Sequence, residues 1–374
     1  MLKPAFLYNQ LEKHGVDFML GVPDSLLKHF GSYAFDRGND LIAANEGGAL
    51  AIAAGYHLAS GKIPLIYLQN SGFGNIVNPL TSLTDEEVYS IPVLIIVGWR
   101  GQPGTDDEPQ HIKPGKTQEE QLKALGLPYT ILSSDEQQVE KQLALAFDTM
   151  KRKSSPYVLL VPPNTFEGYT FQGDSKEKSY SLKREEALEK LILKFGEDDI
   201  VVSTTGKTSR ELFELREKHG QGHHRDFLTV GSMGHASQIA LGIALQKKEQ
   251  SVFCIDGDGA MIMHMGALAI IGEQQPANFH HILINNGAHE SVGGQPTAGF
   301  TVDFGKIAEG CGYKKTFRVD DLNSLDKIFD DFLNSKGPVL LEIMTQTGAR
   351  SDLGRPTLSP TENKSNFMQF LLEE

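Results

Sequence analysis

The chain has 374 residues, of which 40% are hydrophobic and 22% charged, as in ordinary soluble globular proteins. Its 35 basic and 48 acidic side chains give a net charge of −13, which argues against nucleic acids and anionic membranes as partners. Two cysteines make no disulfide framework, and we find neither a signal peptide nor a run of about eighteen apolar residues. We therefore expect a cytoplasmic protein of two or three domains.

The first part of the chain alternates between helical patterns and short apolar runs. We predict helices over Pro4–Lys13 and 47–58, and strands over 17–21, 41–44, 64–68, 93–97 and Tyr157–Val161. Strands that alternate with helices favour an α/β domain with a parallel sheet. A polar, glycine-bearing segment, 166–183, is predicted to be the linker that follows this first domain, 1–165.

The remainder, 184–374, repeats this alternation with a different sequence. We predict helices over 184–195, 209–216, 235–245 and 260–271, and strands over Ile200–Ser203, 251–255, 281–284 and Val339–Met344. The sequence therefore predicts an α/β protein with two doubly wound parallel-sheet domains.

Polar residues follow two of the predicted strands in the second domain. Asp258 lies between two glycines after the run 251–255, and Asn286 follows the run 281–284. In open α/β sheets, ligands bind at the carboxyl ends of the strands. The Asp258 carboxylate, the Asn286 side-chain carbonyl and the backbone carbonyl of Ala288 would suit Mg²⁺ and leave positions for phosphate oxygens. The alternative is an ordinary turn, with Asp258 as a helix cap and Asn286 in an Asn-Gly turn.

The spacing of these two signals is informative, because 25 residues (260–284) separate Gly259 from Asn285. This arrangement resembles the cofactor-binding motif of the thiamin-diphosphate-dependent decarboxylases and transketolases. The resemblance implies that Asp258, Asn286 and the carbonyl of Ala288 hold Mg²⁺, which anchors the diphosphate of the cofactor. It also places the cofactor beside the residues that flank the aspartate, namely Gly257, Gly259 and Ala260.

A second match lies in the first domain, where Glu46 stands at the end of a predicted strand and is followed by Gly47 and Gly48. This segment resembles the one that carries the cofactor-activating glutamate of the same superfamily. The resemblance implies that the Glu46 carboxylate bonds a pyrimidine ring nitrogen of thiamin diphosphate. The alternative is that Glu46 only provides favourable charge at a helix start. The two glycines speak against that alternative, because they permit close approach of an aromatic ring.

Three further residues fit the same resemblance. Met233 occupies the place of the large apolar residue that holds the cofactor bent in thiamin-dependent decarboxylases, although core packing is an alternative. Gly206 and Gly231 would lie close to the cofactor through their backbone, and the Gly231 carbonyl would accept from the pyrimidine amino group.

Motifs along essentially the whole chain resemble the phosphonopyruvate decarboxylase family. They are the segments at 21–25, 69–75, 107–111, 231–236, 287–297 and 354–357. Most thiamin-dependent decarboxylases carry a central third domain, and this chain has no room for one. The resemblance implies decarboxylation of 3-phosphonopyruvate, an anionic 2-oxo acid, to phosphonoacetaldehyde and CO₂ in the biosynthesis of phosphonates.

A phosphonate substrate requires cationic and neutral hydrogen-bond donors. Candidate cations are Arg100, Lys113, Lys207, Arg350 and Arg355, and candidate neutral donors are Ser25 and Ser71. Any of these cations could instead be a solvated surface residue. We predict Asp24 and His111 as proton-transfer groups, and we place His111 in a polar loop, where an ordinary surface histidine is the alternative.

Three other functions remain to be weighed. Sulfopyruvate decarboxylases share the two-domain plan but often divide it between two chains, so the fused chain favours the phosphonate substrate. A non-catalytic thiamin-fold subunit is disfavoured by the presence of Glu46. A nicotinamide dehydrogenase is disfavoured because the GxGxxG fingerprint is missing at the Asp258 turn.

The resemblance also predicts the quaternary structure. In this superfamily one subunit holds the pyrimidine end of the cofactor and its neighbour holds the diphosphate end. We therefore expect a homodimer at minimum, with active sites at an isologous interface.

Overall fold

The computed structural model describes residues 1–172 and 180–373. The chain divides into two compact units, the first comprising Met1–Ser175 and His289–Pro296, and the second Lys176–Ala288 and Thr297–Glu374. Within the predicted linker, 166–183, residues 173–179 lie outside the described residues, whereas Phe166 and Leu182 are buried in the cores of the first and second units. The bounds of the linker and of the two domains stay predictions.

Six parallel strands form the sheet of the first unit: β1 (Met19–Gly21), β2 (Asp40–Ile42), β3 (Leu65–Gln69), β4 (Leu94–Gly98), β5 (Tyr129–Ile131) and β6 (Tyr157–Val161). Their order across the sheet is β2-β1-β3-β4-β6-β5. Strands β4 and β6 are buried along their whole length, which explains their uninterrupted apolar sequences.

Helices cover both faces of this sheet: α1 (Pro4–Lys13), α2 (Lys28–Asp36), α3 (Glu46–Ser60), α4 (Phe73–Pro79), α5 (Pro109–Ala124) and α6 (Glu136–Lys153). Consecutive residues of β3, Leu65 and Ile66, belong to two separate apolar clusters, as expected for a strand buried on both sides. Helix α3 begins after Asn45, whose side chain accepts a hydrogen bond from the Gly48 N–H at 2.8 Å.

The second unit also contains a six-stranded parallel sheet: β7 (Ile200–Ser203), β8 (Asp226–Leu228), β9 (Val252–Gly257), β10 (Phe279–Asn285), β11 (Lys315–Val319) and β12 (Val339–Met344). The strand order is β11-β12-β10-β9-β7-β8. Neighbouring residues of β9, Phe253 and Cys254, belong to different apolar clusters, so both faces of this sheet are covered as well.

The helices of the second unit are α7 (Arg184–Ile192), α8 (Lys207–Lys218), α9 (Ala236–Gln246), α10 (Asp258–Met263), α11 (Ala267–Gln274), α12 (Phe304–Gly310), α13 (Leu322–Asn334) and α14 (Pro360–Leu372). A fully buried ion pair joins Arg216 of α8 to Asp226 of β8, with Nη2 and Oδ1 separated by 2.8 Å. In the described part of the chain, none of the helices is long and apolar enough to cross a membrane.

The predicted fold class is confirmed, because both units are parallel α/β sheets with flanking helices, and the described residues form no third unit. Two local predictions are wrong. The single helix predicted over 260–271 is two helices, since α10 ends at Met263, and the ring of the following residue, His264, packs against His235. His111 does not lie in a loop but in α5, which begins at Pro109. The helix was not predicted because its sequence is mostly polar.

Candidate active site

Asp258 lies at the carboxyl end of β9, where it begins α10, and its side chain is 3% exposed. Strand β10 runs beside β9 with Ile284 opposite Gly257, so Asn285, the last residue of β10, and Asn286, which follows it, lie next to Asp258. The Asp258 carboxylate accepts hydrogen bonds from the Thr297 hydroxyl and from backbone N–H groups that include that of Asn286. Burial nevertheless raises the pKa of Asp258 to about 6. A cation bound there would supply the missing counter-charge.

Asn285 organises the backbone around this carboxylate. Its amide nitrogen donates to the Gly299 carbonyl at 2.7 Å and to Oε1 of Glu342 at 2.8 Å, and its Oδ1 accepts from the Gly287 N–H at 3.2 Å. A Cβ at Gly299 would lie 2.5 Å from both Asp258 Oδ2 and Asn285 Oδ1. The absence of a side chain at Gly299 therefore lets this loop close against the two polar residues.

The residues at this edge offer the kind of ligand atoms that a magnesium ion prefers. Asp258 offers a buried carboxylate and Asn286 a buried amide, while Ala288 is partly exposed two residues further on. The Asn286 Oδ1 accepts from the Ala288 N–H at 3.1 Å, which orients the amide. A carboxylate, an amide oxygen and a backbone carbonyl form the hard oxygen set that Mg²⁺ prefers.

The other predicted cofactor residues of the second unit lie on neighbouring turns. Gly206 follows β7, the strand beside β9, and adopts a φ of 99° that favours glycine. Met233 is half-buried in the loop that contains Gly231. This loop packs on the start of α10, because a Cβ at Gly234 would lie 2.9 Å from the carbonyl oxygen of Ala260. The structure thus brings the Met233 loop and the Asp258 turn together.

Glu46 is the first residue of α3 in the first unit, and its side chain is 6% exposed. Its Oε2 accepts from the Asn75 amide at 2.8 Å, and its Oε1 lies against Gly72, where any Cβ would overlap it. Burial raises the pKa of Glu46, although the Asn75 hydrogen bond opposes this shift. Glu46 is therefore a buried carboxyl group held at a defined position beside a glycine-lined space.

A second polar group of the first unit surrounds Arg100. The Arg100 guanidinium donates to Ser25 Oγ at 2.6 Å and pairs with both oxygens of Asp107, with Nε and Oδ2 separated by 2.7 Å. The Asn70 amide donates to the Arg100 carbonyl at 2.8 Å. Since Asn70 and Gly72 share one short helical turn, this group continues directly from the residues that contact Glu46.

Asp24 lies against the same group and is buried. Its Oδ2 accepts from the Leu26 and Leu27 N–H groups at 3.2 Å, and its Oδ1 has no hydrogen-bond partner among the described residues. Burial raises the pKa of Asp24 to about 6, against the opposing charge of Arg100. Gly98 leaves room for this carboxyl, because a Cβ there would overlap Oδ2.

His111 is buried on α5. Burial and the charge of Arg100 lower the pKa of His111 to about 4, so the imidazole is neutral at neutral pH. Its Nδ1 has no hydrogen-bond partner within residues 1–172 and 180–373. Two predicted proton-transfer groups, Asp24 and His111, therefore both interact electrostatically with Arg100.

The remaining candidate substrate residues are dispersed. Ser71 is exposed next to Gly72, and Lys113 is exposed on α5. Lys207 is half-buried at the start of α8, directly after Gly206. Arg355 is exposed.

Arg350 forms ion pairs with acidic side chains of the second unit. It forms ion pairs with Glu185, Glu214 and Asp352, including an Nε to Oε1 distance of 2.7 Å to Glu185. Its charge is therefore already balanced by carboxylates.

Several residues of these sites were not assigned a role from the sequence, among them Asn75, Asp107, Asn285 and Thr297. All four lie inside motifs that carry the family resemblance, or directly beside Asn286. Their location in these motifs was the one feature of the sequence that could have indicated a role. The sequence pattern does not show which side chain each of them contacts.

Comparisons with known proteins agree with this geometry. Residues 5–124 match the thiamine pyrophosphate enzyme N-terminal TPP binding domain, and residues 204–343 match the C-terminal TPP binding domain. A phosphonopyruvate decarboxylase of Streptomyces viridochromogenes is 33% identical over 392 aligned positions, which cover 99% of this chain and 95% of that protein. A phosphonopyruvate decarboxylase of Streptomyces hygroscopicus is also 33% identical, over 96% of this chain and 91% of that protein.

A sulfopyruvate decarboxylase of Methanosarcina acetivorans is 28% identical over 96% of this chain and 95% of that protein. These matches exclude the nicotinamide dehydrogenase alternative, because both matched domains are thiamine pyrophosphate domains. The similarity to enzymes named as decarboxylases spans nearly the full chain and both polar sites. This chain therefore belongs to the family of thiamin-diphosphate-dependent decarboxylases.

Proposed function

We propose that the protein converts 3-phosphonopyruvate to phosphonoacetaldehyde and CO₂ with thiamin diphosphate and Mg²⁺, in the biosynthesis of phosphonates. The observation that carries the choice of substrate is the 33% identity to two phosphonopyruvate decarboxylases over nearly the full chain. We further propose that the reaction takes place in the cytoplasm.

The proposed role of Glu46 rests on its burial and its contacts. The Asn75 amide and the space at Gly72 fix the carboxyl group, and the raised pKa of Glu46 favours a carboxyl that can share a proton with a ring nitrogen. When bound, thiamin diphosphate supplies the nucleophilic carbon and accepts the electron pair that CO₂ leaves behind. The task of Glu46 is to hold a proton at the pyrimidine end of that cofactor.

Asp258, Asn286 and the Ala288 carbonyl are proposed to hold Mg²⁺ at the diphosphate end. Thr297 donates to Oδ2 of Asp258, and backbone N–H groups also donate to this carboxylate, so the side chain is held at a defined position at this edge of the sheet. Gly206, Gly231 and Met233 belong to the neighbouring turns and would enclose the cofactor on the same edge of the sheet.

The substrate is proposed to bind through the Arg100 group. Asp107 accepts hydrogen bonds from two N–H groups of the Arg100 guanidinium, and Ser25 accepts one from a third. The other N–H groups and the Ser25 hydroxyl would bind anionic oxygens of the substrate. Asp24 and His111, which interact electrostatically with Arg100, are the proposed proton donors or acceptors for the reaction.

Sulfopyruvate is the second candidate substrate, because a sulfonate has nearly the shape of a phosphonate, although it carries one negative charge where a phosphonate is close to dianionic. The argument that a fused chain favours the phosphonate substrate is weakened by the sulfopyruvate decarboxylase that matches 96% of this chain with one polypeptide. The higher identity to phosphonopyruvate decarboxylases, 33% against 28%, supports the phosphonate.

We propose a homodimer at minimum, in which each cofactor is bound by Glu46 of one subunit and Asp258 of the other. The proposal rests on the family arrangement and on the placement of the two residues in different compact units. Each dimer would then contain two identical sites.

The test of the function is CO₂ release from phosphonopyruvate, sulfopyruvate and pyruvate, each with and without Mg²⁺ and thiamin diphosphate. We expect release from phosphonopyruvate to be fastest and to require both additions. Faster CO₂ release from sulfopyruvate would overturn the proposal that phosphonopyruvate is the substrate. CO₂ release without thiamin diphosphate would overturn the proposal that the reaction depends on this cofactor.

A further inference from the structure

A group of three metal-ligating side chains lies inside the second unit, on the adjacent strands β9 and β10. Cys254, Asp256 and His281 each offer one ligand atom, and these atoms lie within 4.8 Å of one another. Cys254 and His281 are 0% exposed and Asp256 is 1% exposed. The function proposed above uses none of the three, so the cluster requires a separate explanation.

The strand geometry explains why these side chains converge. Cys254 and Asp256 are alternate residues of β9 and point to the same face of the sheet. His281 is the direct neighbour of Cys254 on the parallel strand β10. Apolar residues of the surrounding cluster, such as Phe279 and Leu283, separate this face from solvent.

The histidine ring gives a second and independent observation. The Nδ1 of His281 lies 3.1 Å from the Tyr313 hydroxyl, whereas its Nε2 has no hydrogen-bond partner among the described residues although the ring is fully buried. Nε2 lies 3.7 Å from Oδ2 of Asp256, which is too long for a hydrogen bond. Two ligands of one tetrahedral zinc ion, with bonds of about 2.1 Å, lie about 3.4 Å apart, close to this separation.

We propose that Cys254 Sγ, Asp256 and His281 Nε2 bind one divalent transition-metal ion of the zinc type. A sulfur, an imidazole nitrogen and a carboxylate oxygen favour zinc over magnesium, in contrast to the oxygen ligands of the Asp258 site. The Tyr313 hydroxyl at Nδ1 is the outer partner that fixes the orientation of a metal-bound histidine. A water molecule completes the coordination.

The ion would replace the thiol proton of Cys254, which leaves to solvent as the sulfur becomes a thiolate. Burial raises the pKa of the Cys254 thiol, so this exchange requires the metal. Because the site is closed, the ion enters while the chain folds. Its effect is to join β9 to β10 just before the ends that carry Asp258 and Asn286.

The test is the metal content of the full-length chain produced with added zinc, measured by elemental analysis after dialysis against a weak chelator. We expect about one zinc per chain, as for a structural site. Cys254→Ala should lose it, whereas Cys311→Ala, which changes the other cysteine, and Asp258→Ala should retain it. Retention in Asp258→Ala separates this site from the proposed magnesium site.

Refolding the wild-type chain with Co²⁺ gives a readout that needs no variant. A cobalt–thiolate absorption band in the near ultraviolet is expected, and it should be missing in Cys254→Ala. Wild-type protein that holds no stoichiometric zinc, and that shows no such band after refolding with Co²⁺, would overturn the proposal. The cluster would then be a metal-free Asp256–His281 pair.

Discussion

One added methyl group at Gly72 should disable the proposed activating glutamate. Gly72 has φ −85° and ψ −4°, a conformation that most residues can adopt, as at the third position of a type I turn. A Cβ there would overlap Oε1 of Glu46 and would lie 2.6 Å from its Cδ and 2.9 Å from its Cγ. Because Asn75 holds the other oxygen of the carboxylate, the side chain can make room only by leaving its position. Gly72→Ala should therefore displace Glu46 while the backbone remains as it is.

The size of the effect follows from the role of the carboxyl group. Loss of a positioned acid–base group lowers turnover by about 10²- to 10⁴-fold. We expect Gly72→Ala and Glu46→Gln each to lower kcat by about 10²-fold or more. Gly72→Ala should lower stability by about 1–3 kcal/mol, the usual cost of an added group in a packed site, because the displaced Glu46 also loses its hydrogen bond to Asn75.

Two assays separate displacement of Glu46 from general damage. Turnover is measured by CO₂ release, and cofactor activation by the rate at which the thiazolium proton of bound thiamin diphosphate exchanges with deuterium. The control is Gly74→Ala, two residues away, where a Cβ would meet nothing within 4 Å. The control should behave as wild type, whereas Gly72→Ala should slow both rates. Wild-type proton exchange in Gly72→Ala and in Glu46→Gln would refute this role for Glu46.

Four further outcomes are expected. Asp258→Ala should abolish Mg²⁺-supported cofactor binding in calorimetry, and tight, chelator-sensitive binding by this variant would count against the metal assignment. Thr297→Val should weaken Mg²⁺ affinity by about 10-fold or more, the worth of one hydrogen bond to a charged group, whereas Thr297→Ser should not. Burial raises the pKa of Asp24 from 3.8 to about 6, so its contribution to stability is present at low pH and is lost as pH rises through about 6. In denaturant unfolding, the free energy of unfolding of Asp24→Asn should therefore fall less than that of the wild type as pH rises from about 4 to about 6. Identical pH profiles of the two proteins would contradict the raised pKa. Mixing inactive Glu46→Gln with inactive Asp258→Ala should restore activity in exchanged dimers, and no recovery after exchange verified by mass would exclude crossed sites.

Much of the fold could be predicted from the sequence, because parallel strands that are buried on both faces consist of uninterrupted runs of apolar residues. Strands β6, β7 and β12 have the predicted bounds for this reason. The short strands β5, β8 and β11 were missed: the residues of β5 and β11 are mostly half-buried or exposed, and β8 has only three residues and begins with an aspartate, so none of them carries such a run. Local composition also failed at α5, which is a helix despite its polar sequence and the proline at its sixth position.

Glu46 and Asp258 could be proposed from the sequence, because each lies in a motif that resembles the family and follows a predicted strand; in the structure each is the first residue of a helix. The hydrogen-bond partners of the site residues could not be predicted, because these contacts join segments that are distant in sequence. Thr297 reaches Asp258 across 39 positions. Arg100 reaches Ser25 across 75 positions. Which of several arginines faces an acidic partner depends on this packing, and the sequence does not contain that information locally.

The most direct test of the proposed function is the identity of the product. The purified full-length chain, Mg²⁺ and thiamin diphosphate are incubated with 3-phosphonopyruvate, and the phosphorus resonances are followed by NMR. The proposed function predicts that the substrate signal is replaced by that of phosphonoacetaldehyde, with one CO₂ released for each aldehyde formed. Complete retention of phosphonopyruvate, by protein that consumes sulfopyruvate under the same conditions, would contradict it.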